Sequence, residues 1–416
     1  MASTSTTSTT PATTPGLRWG WIAALGLFVL AGLTGSLYRF GLLHGLPADL
    51  QLANVRHAHS HLMYYGWVTP ALMSLIASYL LRDLTDKQAR RVWRRRFGLV
   101  IGLTLVLAVL AYIPFLLYGY GLAAVGTAQL PPAVIASFFN LIGWYAFILF
   151  YWRLTRGQAR RPAWRLWDLA LGFLLLASLG GWGLALARPL QINNPALLSG
   201  FTHFFLDLYS YGWFVLALLG LMVAKAPQIS GQRLAPWAEG LLLMGLPVIF
   251  LLSMPAGLLP PAVRVVAGLG GILVAGGLWL FLWLLWPPLG SAWRVPLFFM
   301  GLSGLALVSV SLPGVADWAA AMGLRISYLH WLLLGSISLG LWAAAADLWG
   351  KEAVRGHFTF TLAVLLLILS LIPLTRLWPL AWGGRWTVEL AAWVSLGPTL
   401  VALMIIGVNM SVKRET

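Results

Sequence analysis

Long apolar segments recur along the chain and are separated by short polar connections. Each has about the 20 residues that a helix needs to cross the hydrocarbon core of a bilayer. This pattern predicts an all-α membrane protein with twelve transmembrane helices. The segments are residues 18–40, 57–81, 97–120, 131–155, 167–187, 199–224, 237–259, 261–285, 294–312, 322–347, 357–375 and 385–410.

Two stretches at the start of the chain are assigned separately. Residues 1–16 are rich in Ser, Thr and Pro, cannot bury a core and are expected to be disordered. No small-residue cleavage site follows the first apolar segment, so we interpret that segment as a retained span. Residues 17–416 are therefore predicted to form one membrane domain.

Composition excludes a soluble fold and several kinds of metal chemistry. The chain is 60% hydrophobic and 9% charged, whereas a soluble domain carries about 25% charged residues. Cysteine is absent. This excludes disulfides, Cys-ligated iron–sulfur clusters and haem attached covalently through Cys-x-x-Cys-His.

Basic residues predict the orientation of the bundle, because Lys and Arg accumulate on the cytoplasmic side. Of the 27 Lys and Arg residues, 20 lie in the termini and in the connections that follow even-numbered spans. Both termini are therefore predicted to be cytoplasmic. The net charge of +16 lies at the membrane surface, which indicates contact with the lipid bilayer and not with nucleic acid. The other seven basic residues are Arg39, Arg56, Arg188, Arg264, Arg325, Arg376 and Arg385.

Five of the seven histidines lie in the outer part of three even-numbered spans. Ligating side chains inside a membrane are costly and usually functional. His59 and His330 share one depth on two different spans, which is what a haem with two axial imidazoles needs. The others are His57 and His61 on the second span and His203 on the sixth.

Two further pairs have a helical i, i+4 spacing that places both members on one face. His57 and His61 form the first pair, which could bind copper or zinc. His203 and Asp207 form the second, for which a metal site, a proton-relay carboxylate and a buried hydrogen bond all remain open. We favour the hydrogen bond.

The second span resembles the second helix of subunit I of the haem–copper oxidase superfamily. There, a low-spin haem ligand opens a run of the type His-Gly-x-Leu-Met-x-x-Phe-x-x-x-Pro, and this chain has His59-Ser60-His61-Leu62-Met63 with Pro70 at the same offset. The nitric oxide reductase branch has Arg-x-x-His-Thr-Asn-Leu, which is similar to residues 56–62. Both comparisons put His59 at the haem-ligand position.

Two other spans carry shorter resemblances. Residues 328–335 resemble the tenth helix with its His-x-His signature, and His330 matches the second, low-spin ligand. Tyr328 stands where the family has the ligand of the high-spin haem. His203 matches a copper- or iron-ligating histidine of the sixth helix, followed by Asp207 where relatives have Tyr or Glu.

The chain also departs from the family. The outer half of the seventh span, residues 250–255, lacks the expected His-His pair. The resemblance therefore implies one low-spin haem b with axial His59 and His330, and a dismantled dinuclear site. Copper or non-haem iron at His203 would require a site rebuilt with Tyr328 and Met254. Haem propionates would need cationic partners, for which Arg56, Arg376 and Arg385 are the candidates.

Together these features predict a haem b-binding electron-transfer protein close to the nitric oxide reductase or cbb3-like branch. A bis-imidazole iron has no open coordination position, so no catalytic residue is assigned. The resemblance implies a place in the respiratory chain of a prokaryotic inner membrane, with a quinol or c-type cytochrome as redox partner on separate subunits.

Two alternatives remain open. One is an enzyme, a cytochrome c oxidase or nitric oxide reductase with a rebuilt high-spin site. The other is a transporter or an NnrS-type haem and copper membrane protein, to which His57-Ala58-His59 is similar. Repeated units with broken spans, which are typical of transporters, are not evident in the sequence.

Overall fold

The computed structural model describes residues 17–187, 190–350 and 354–412, which are mostly helical. Within these ranges, ten helices are long and apolar enough to cross a membrane. The prediction of an all-α, multi-pass membrane protein is therefore confirmed. The tail predicted for residues 1–16 lies outside the described residues.

The helices are numbered in chain order, and a small antiparallel hairpin lies between α4 and α5. The helices are α1 Arg18–His44, α2 Leu52–His61, α3 Thr69–Arg82, α4 Lys87–Tyr118, α5 Pro132–Thr155, α6 Pro162–Ala187, α7 Pro195–Asp207, α8 Leu216–Lys225, α9 Ala235–Gly245, α10 Pro261–Leu285, α11 Arg294–Ser311, α12 Val315–Ala321, α13 Leu324–His330, α14 Leu339–Trp349, α15 His357–Ser370 and α16 Arg385–Val412. The hairpin consists of β1 Ala123–Val125 and β2 Ala128–Leu130, with Ala123 opposite Leu130.

Two of the predicted spans are not among the ten. Residues 57–81 do lie in a helical segment, but its His, Tyr, Trp and Pro side chains make it less apolar than the others. Residues 237–259 do not form one helix. α9 has only 11 residues and is followed by short 3₁₀ turns at Ile249–Ser253 and Ala256–Leu258. Pro247 and Pro255 lack backbone donors, which explains the break.

Three π-helical segments interrupt the helices that carry the candidate residues. They are π1 Leu62–Val68 between α2 and α3, π2 Leu208–Val215 between α7 and α8, and π3 Trp331–Ser338 between α13 and α14. π-Helical turns are rare and occur frequently at functional sites. They begin directly after His61, Asp207 and His330, respectively.

A glycine five residues after each of these three side chains lets a neighbouring helix approach closely. A Cβ atom at Gly66 would lie 3.1 Å from Leu27 of α1, and one at Gly212 would lie 2.5 Å from Phe173 of α6. At Gly335 it would lie 2.6 Å from Phe299 of α11. The same close approach therefore occurs at three places in the bundle. Two of them share a Tyr-Gly-Trp sequence, Tyr65-Gly66-Trp67 and Tyr211-Gly212-Trp213.

Substitution of Gly212 tests this packing. We expect Gly212→Ala to destabilise the protein by about 1–3 kcal/mol, because the new methyl group would collide with the Cβ of Phe173. Gly172→Ala is the matched control on α6, where a Cβ would meet nothing within 4 Å. The control should be neutral or stabilising by up to about 1 kcal/mol. Thermal unfolding in detergent measures both, and equal midpoints for the two variants would contradict the close approach.

Ion pairs link the connections at one end of the bundle, the arginine-rich end. Arg161 pairs with Asp83, Arg165 with Glu239 at 3.0 Å and Lys225 with Asp347 at 3.0 Å. These pairs join the end of α3 to the start of α6, the start of α6 to the start of α9, and the end of α8 to the end of α14. α2, α7 and α13 therefore begin at the opposite end, which we call the histidine end.

Packing differs between the two halves of the bundle. Nearly every residue of 62–81, 208–223 and 332–345 is buried, so the core lies from the π segments toward the arginine-rich end. Most residues of α7 and α13 keep some accessible surface. The π segments thus lie between a densely packed core and the histidine end, where the helices are more accessible.

Candidate functional site

His59 lies on the side of α2 that faces α1. Its Nδ1 is 2.7 Å from the carbonyl oxygen of Ala31. A Cβ atom at Gly35 would lie 2.8 Å from the ring carbon Cε1 of His59. The absence of a side chain at position 35 therefore makes room for the imidazole, and Ala31 fixes its orientation.

His330 is held in the same way within its own helix. Its Nδ1 is 2.8 Å from the carbonyl oxygen of Ile326, one turn earlier. In both histidines this contact places the proton on Nδ1, and Nε2 forms no hydrogen bond with the described residues. Metal-ligating histidines typically donate one ring N–H to a carbonyl and use the other nitrogen as ligand.

The two imidazoles lie near each other. His330 interacts electrostatically with His59, and both histidines interact with Arg39 of α1. These three side chains come from three different spans. The structure thus brings together the two histidines that the sequence analysis paired.

Arg39 is the residue that the sequence analysis missed. Its side chain is buried, with 9% of its surface accessible, and it forms no hydrogen bond or ion pair with the part of the chain that the structure describes. A buried charge is costly unless it is paired. The position of Arg39 on α1, one turn after Gly35, could have indicated that it is buried. The sequence analysis instead counted Arg39 among the basic residues of the connections between spans.

The three arginines proposed as propionate partners lie at the surface. Arg56, Arg376 and Arg385 are all exposed. Arg385 pairs with Glu389 at 2.8 Å, and the backbone N–H of Arg376 donates to Met322. Arg39 is therefore the better placed cation for a group held between His59 and His330.

His57 and His61 occupy a different face of α2, toward α4. The His61 ring stacks on Phe115 at a centroid distance of 3.6 Å. Tyr120 lies 4.7 Å from His57 and 6.1 Å from His61. These two histidines thus point away from the pair formed by His59 and His330.

His203 and Asp207 lie in a second polar cluster. His203 Nδ1 and Asp207 Oδ2 are 3.8 Å apart, beyond hydrogen-bond distance, so the favoured hydrogen bond is not formed. Oδ2 of Asp207 is buried and has no hydrogen-bond partner among the described residues, and Ser253 of the broken segment after α9 lies beside the carboxylate. Arg325 interacts electrostatically with both members of the pair.

Tyrosines complete this second cluster. The hydroxyl groups of Tyr328 and Tyr211 are hydrogen-bonded to each other, and Tyr64 and Ser210 share a hydrogen bond of 3.0 Å. Among the described residues, no group of three or more His, Asp and Glu side chains is arranged to hold a metal ion. Tyr328 also interacts electrostatically with Asp207.

Comparison with protein-family models and with curated proteins finds no match to this chain. The resemblance to haem–copper oxidases therefore depends on its three short motifs. Three features of the site are compatible with a haem: two imidazoles anchored through Nδ1, a free Nε2 on each, and a buried cation that interacts electrostatically with both.

Proposed function

We propose that this chain is a haem b-binding electron-transfer protein of the haem–copper oxidase subunit I type. His59 and His330 would provide the two axial ligands of one low-spin haem. The observation that carries the proposal is the proximity of these two imidazoles, each with its Nδ1 fixed by a backbone carbonyl. Neutral imidazoles with a free Nε2 are the form that binds iron.

The chain's own residues have defined tasks in this function. The haem would supply reversible one-electron chemistry. Ala31 and Ile326 hold the two ligand rings, and Arg39 would neutralise acidic groups on the periphery of the cofactor. With His59 and His330 as its ligands, the haem iron would have no open position for a substrate.

The proposal includes twelve spans with both termini in the cytoplasm. The ten long helices account for ten of these spans. The helix from Leu52 to Arg82 and the broken segment from Ala235 to Leu258 would be the other two. The ion-paired connections at the arginine-rich end support the cytoplasmic assignment of that end.

The partners are part of the same proposal. The electron donor or acceptor would be a quinol or a c-type cytochrome, on separate subunits in a prokaryotic inner membrane. His59 and His330 lie toward the end opposite the arginine-rich connections, so an external cytochrome would approach from the outer side.

The cofactor content of the purified protein tests this function. A pyridine haemochrome assay should give one b-type haem per chain, and the reduced-minus-oxidised spectrum should be low-spin. Carbon monoxide should leave the reduced spectrum unchanged, since both axial positions are filled. Protein that contains no haem after expression with ample haem supply would refute the proposal.

A working terminal oxidase or nitric oxide reductase is the second candidate. It is favoured by the meeting of His203, Asp207 and Tyr328 in one cluster, where the family holds its second metal. Two haems per chain, with one that binds carbon monoxide, would establish this candidate in place of the first.

A further inference from the structure

Exposed basic side chains are concentrated in the first three turns of α4, at the arginine-rich end. Within the described part of the chain, four of them form no hydrogen bond or ion pair: Lys87, Arg91, Arg94 and Arg95. A cluster of basic residues directly beside a membrane span attracts the head groups of anionic lipids. These four cations are therefore available to a ligand.

The face of α4 that carries these cations continues along α1. Arg91 and Arg95 have the three- and four-residue spacing of one helix face with residues 98, 102, 105 and 109. At Gly98 and at Gly102, a Cβ atom would lie 3.6 Å from the ring of Trp19, which belongs to α1. Arg91 and Arg95 therefore lie at the arginine-rich end of the boundary between α1 and α4.

An apolar groove, the α1/α4 groove, follows along the same boundary. It has a volume of about 290 Å³ and is lined by Ala23, Leu27, Leu105, Val106, Val109 and Leu110. Val106 and Leu110 are 57% and 53% exposed, so the groove is open to the bilayer. Leu105 follows Arg95 by ten residues, which is about 15 Å along a helix and roughly the depth of one leaflet. An acyl chain whose head group lies at Arg95 would reach the groove.

Trp19 lies between the cations and the groove. Its ring is 43% exposed, and its Nε1 donates no hydrogen bond to a described residue. Tryptophan favours the level of the lipid head groups, where its N–H can donate to a phosphate or ester oxygen. Ala23 follows one turn later on α1, so Trp19 and the groove lie on the same face of that helix.

A second groove lacks the charged part of this arrangement. It lies between α4 and α5, has a volume of about 260 Å³ and is lined by Leu107, Leu110, Leu130, Pro132, Ile135, Ala136 and Phe139. No Lys or Arg occurs between Arg96 and Arg153, so the segments that form this α4/α5 groove offer an anionic head group no cation there. It provides a control for the role of charge.

We propose that the α1/α4 groove binds one anionic diacyl phospholipid. The phosphate pairs with Arg91 and Arg95 and accepts a hydrogen bond from Trp19, while one acyl chain occupies the groove. Leu27 of the groove also contacts π1, because a Cβ atom at Gly66 would lie 3.1 Å from it. The bound lipid therefore supports the packing of α1 against the helix that carries His59. Binding itself does not involve a haem.

The preference for an anionic head group tests the proposal. Full-length protein in detergent is titrated with dioleoyl lipids, and native mass spectrometry counts the lipids retained by each chain. One phosphatidylglycerol should bind roughly tenfold more tightly than phosphatidylcholine, whose choline cation would meet the arginines. Equal affinities for the two lipids would overturn the proposal.

Substitution of the two arginines should remove this preference. In Arg91→Gln/Arg95→Gln protein, phosphatidylglycerol should bind no more tightly than phosphatidylcholine. Arg153→Gln/Arg156→Gln is the matched control, because it removes the same charge from exposed positions at the same end of α5. The preference should persist in the control. Equal losses in both variants would assign the preference to the overall surface charge and overturn the site.

Filling the groove tests the place of the acyl chain. Ala23→Phe should weaken phosphatidylglycerol binding severalfold, whereas Ala136→Phe, which fills the α4/α5 groove, should leave it unchanged. If Ala23→Phe does not fold, Val106→Trp at the exposed rim replaces it. Unchanged binding in the folded variant would overturn the proposal.

A soluble head group separates a lipid site from a simple anion site. Glycerol 3-phosphate carries the phosphate without acyl chains, so it should not displace phosphatidylglycerol at equal concentration. Displacement would show that the cations alone account for binding, which would overturn the assignment of the groove to a lipid.

Discussion

Replacement of either proposed axial ligand should abolish the low-spin haem signal. In His330→Ala or His59→Ala protein one coordination position loses its imidazole, so the remaining haem becomes high-spin or dissociates. We expect at least a tenfold loss of low-spin absorbance per chain. Reduced-minus-oxidised and low-temperature spectra of purified variants measure this loss.

His61→Ala is the matched control for this prediction. His61 lies two residues from His59, and its Nδ1 also contacts a carbonyl, that of His57, at 2.9 Å. Its ring stacks on Phe115 instead of facing His330. The low-spin signal should persist in this variant. A signal that survives in His330→Ala, or disappears only in His61→Ala, would contradict the assignment of ligands.

Removal of the buried charge of Arg39 should have the second-largest effect. Arg39→Gln would leave the acidic periphery of the haem without its cation, and hydrogen bonds to charged groups contribute about 1.5–3 kcal/mol each. This corresponds to a roughly 10- to 100-fold weaker haem affinity. The midpoint potential should fall, because removal of a positive charge favours the ferric state. Haem titration and potentiometry measure the two effects.

The exposed arginines provide the control for this prediction. Arg376→Gln and Arg385→Gln should leave affinity and potential nearly unchanged, because both side chains are exposed and Arg385 already pairs with Glu389. If these two variants lose haem and Arg39→Gln does not, the propionates are bound as the family resemblance implied. Arg39 would then serve another role.

The sequence allowed a good prediction of the helical membrane architecture, but not of its irregular parts. Apolar length alone predicts a span at residues 237–259, whereas the structure ends α9 at Gly245. The reason is local, since Pro247 and Pro255 interrupt the backbone hydrogen bonds that a continuous helix needs. A hydropathy pattern does not detect such a break, because it depends only on how apolar the residues are.

The candidate site was partly predictable. His59 and His330 were identified because imidazoles are rare at membrane depth, and Arg39 was missed because its charge looked like that of an interfacial residue. The sequence also did not show which face of the second span points into the bundle. A π-helical turn adds a residue to the turn, so π1 changes the register between α2 and α3, and a regular helical wheel no longer applies.

The pattern of apolar residues was enough to establish a multi-pass helical membrane protein with histidines gathered in a few of its spans. These properties follow from local hydropathy, because a transmembrane helix satisfies its own backbone hydrogen bonds. The relations between side chains of different spans became visible only in the folded bundle: His61 stacks on Phe115, and Arg39 interacts electrostatically with both His59 and His330. Those contacts depend on how each helix is rotated and packed, which side chains far apart in the sequence determine together.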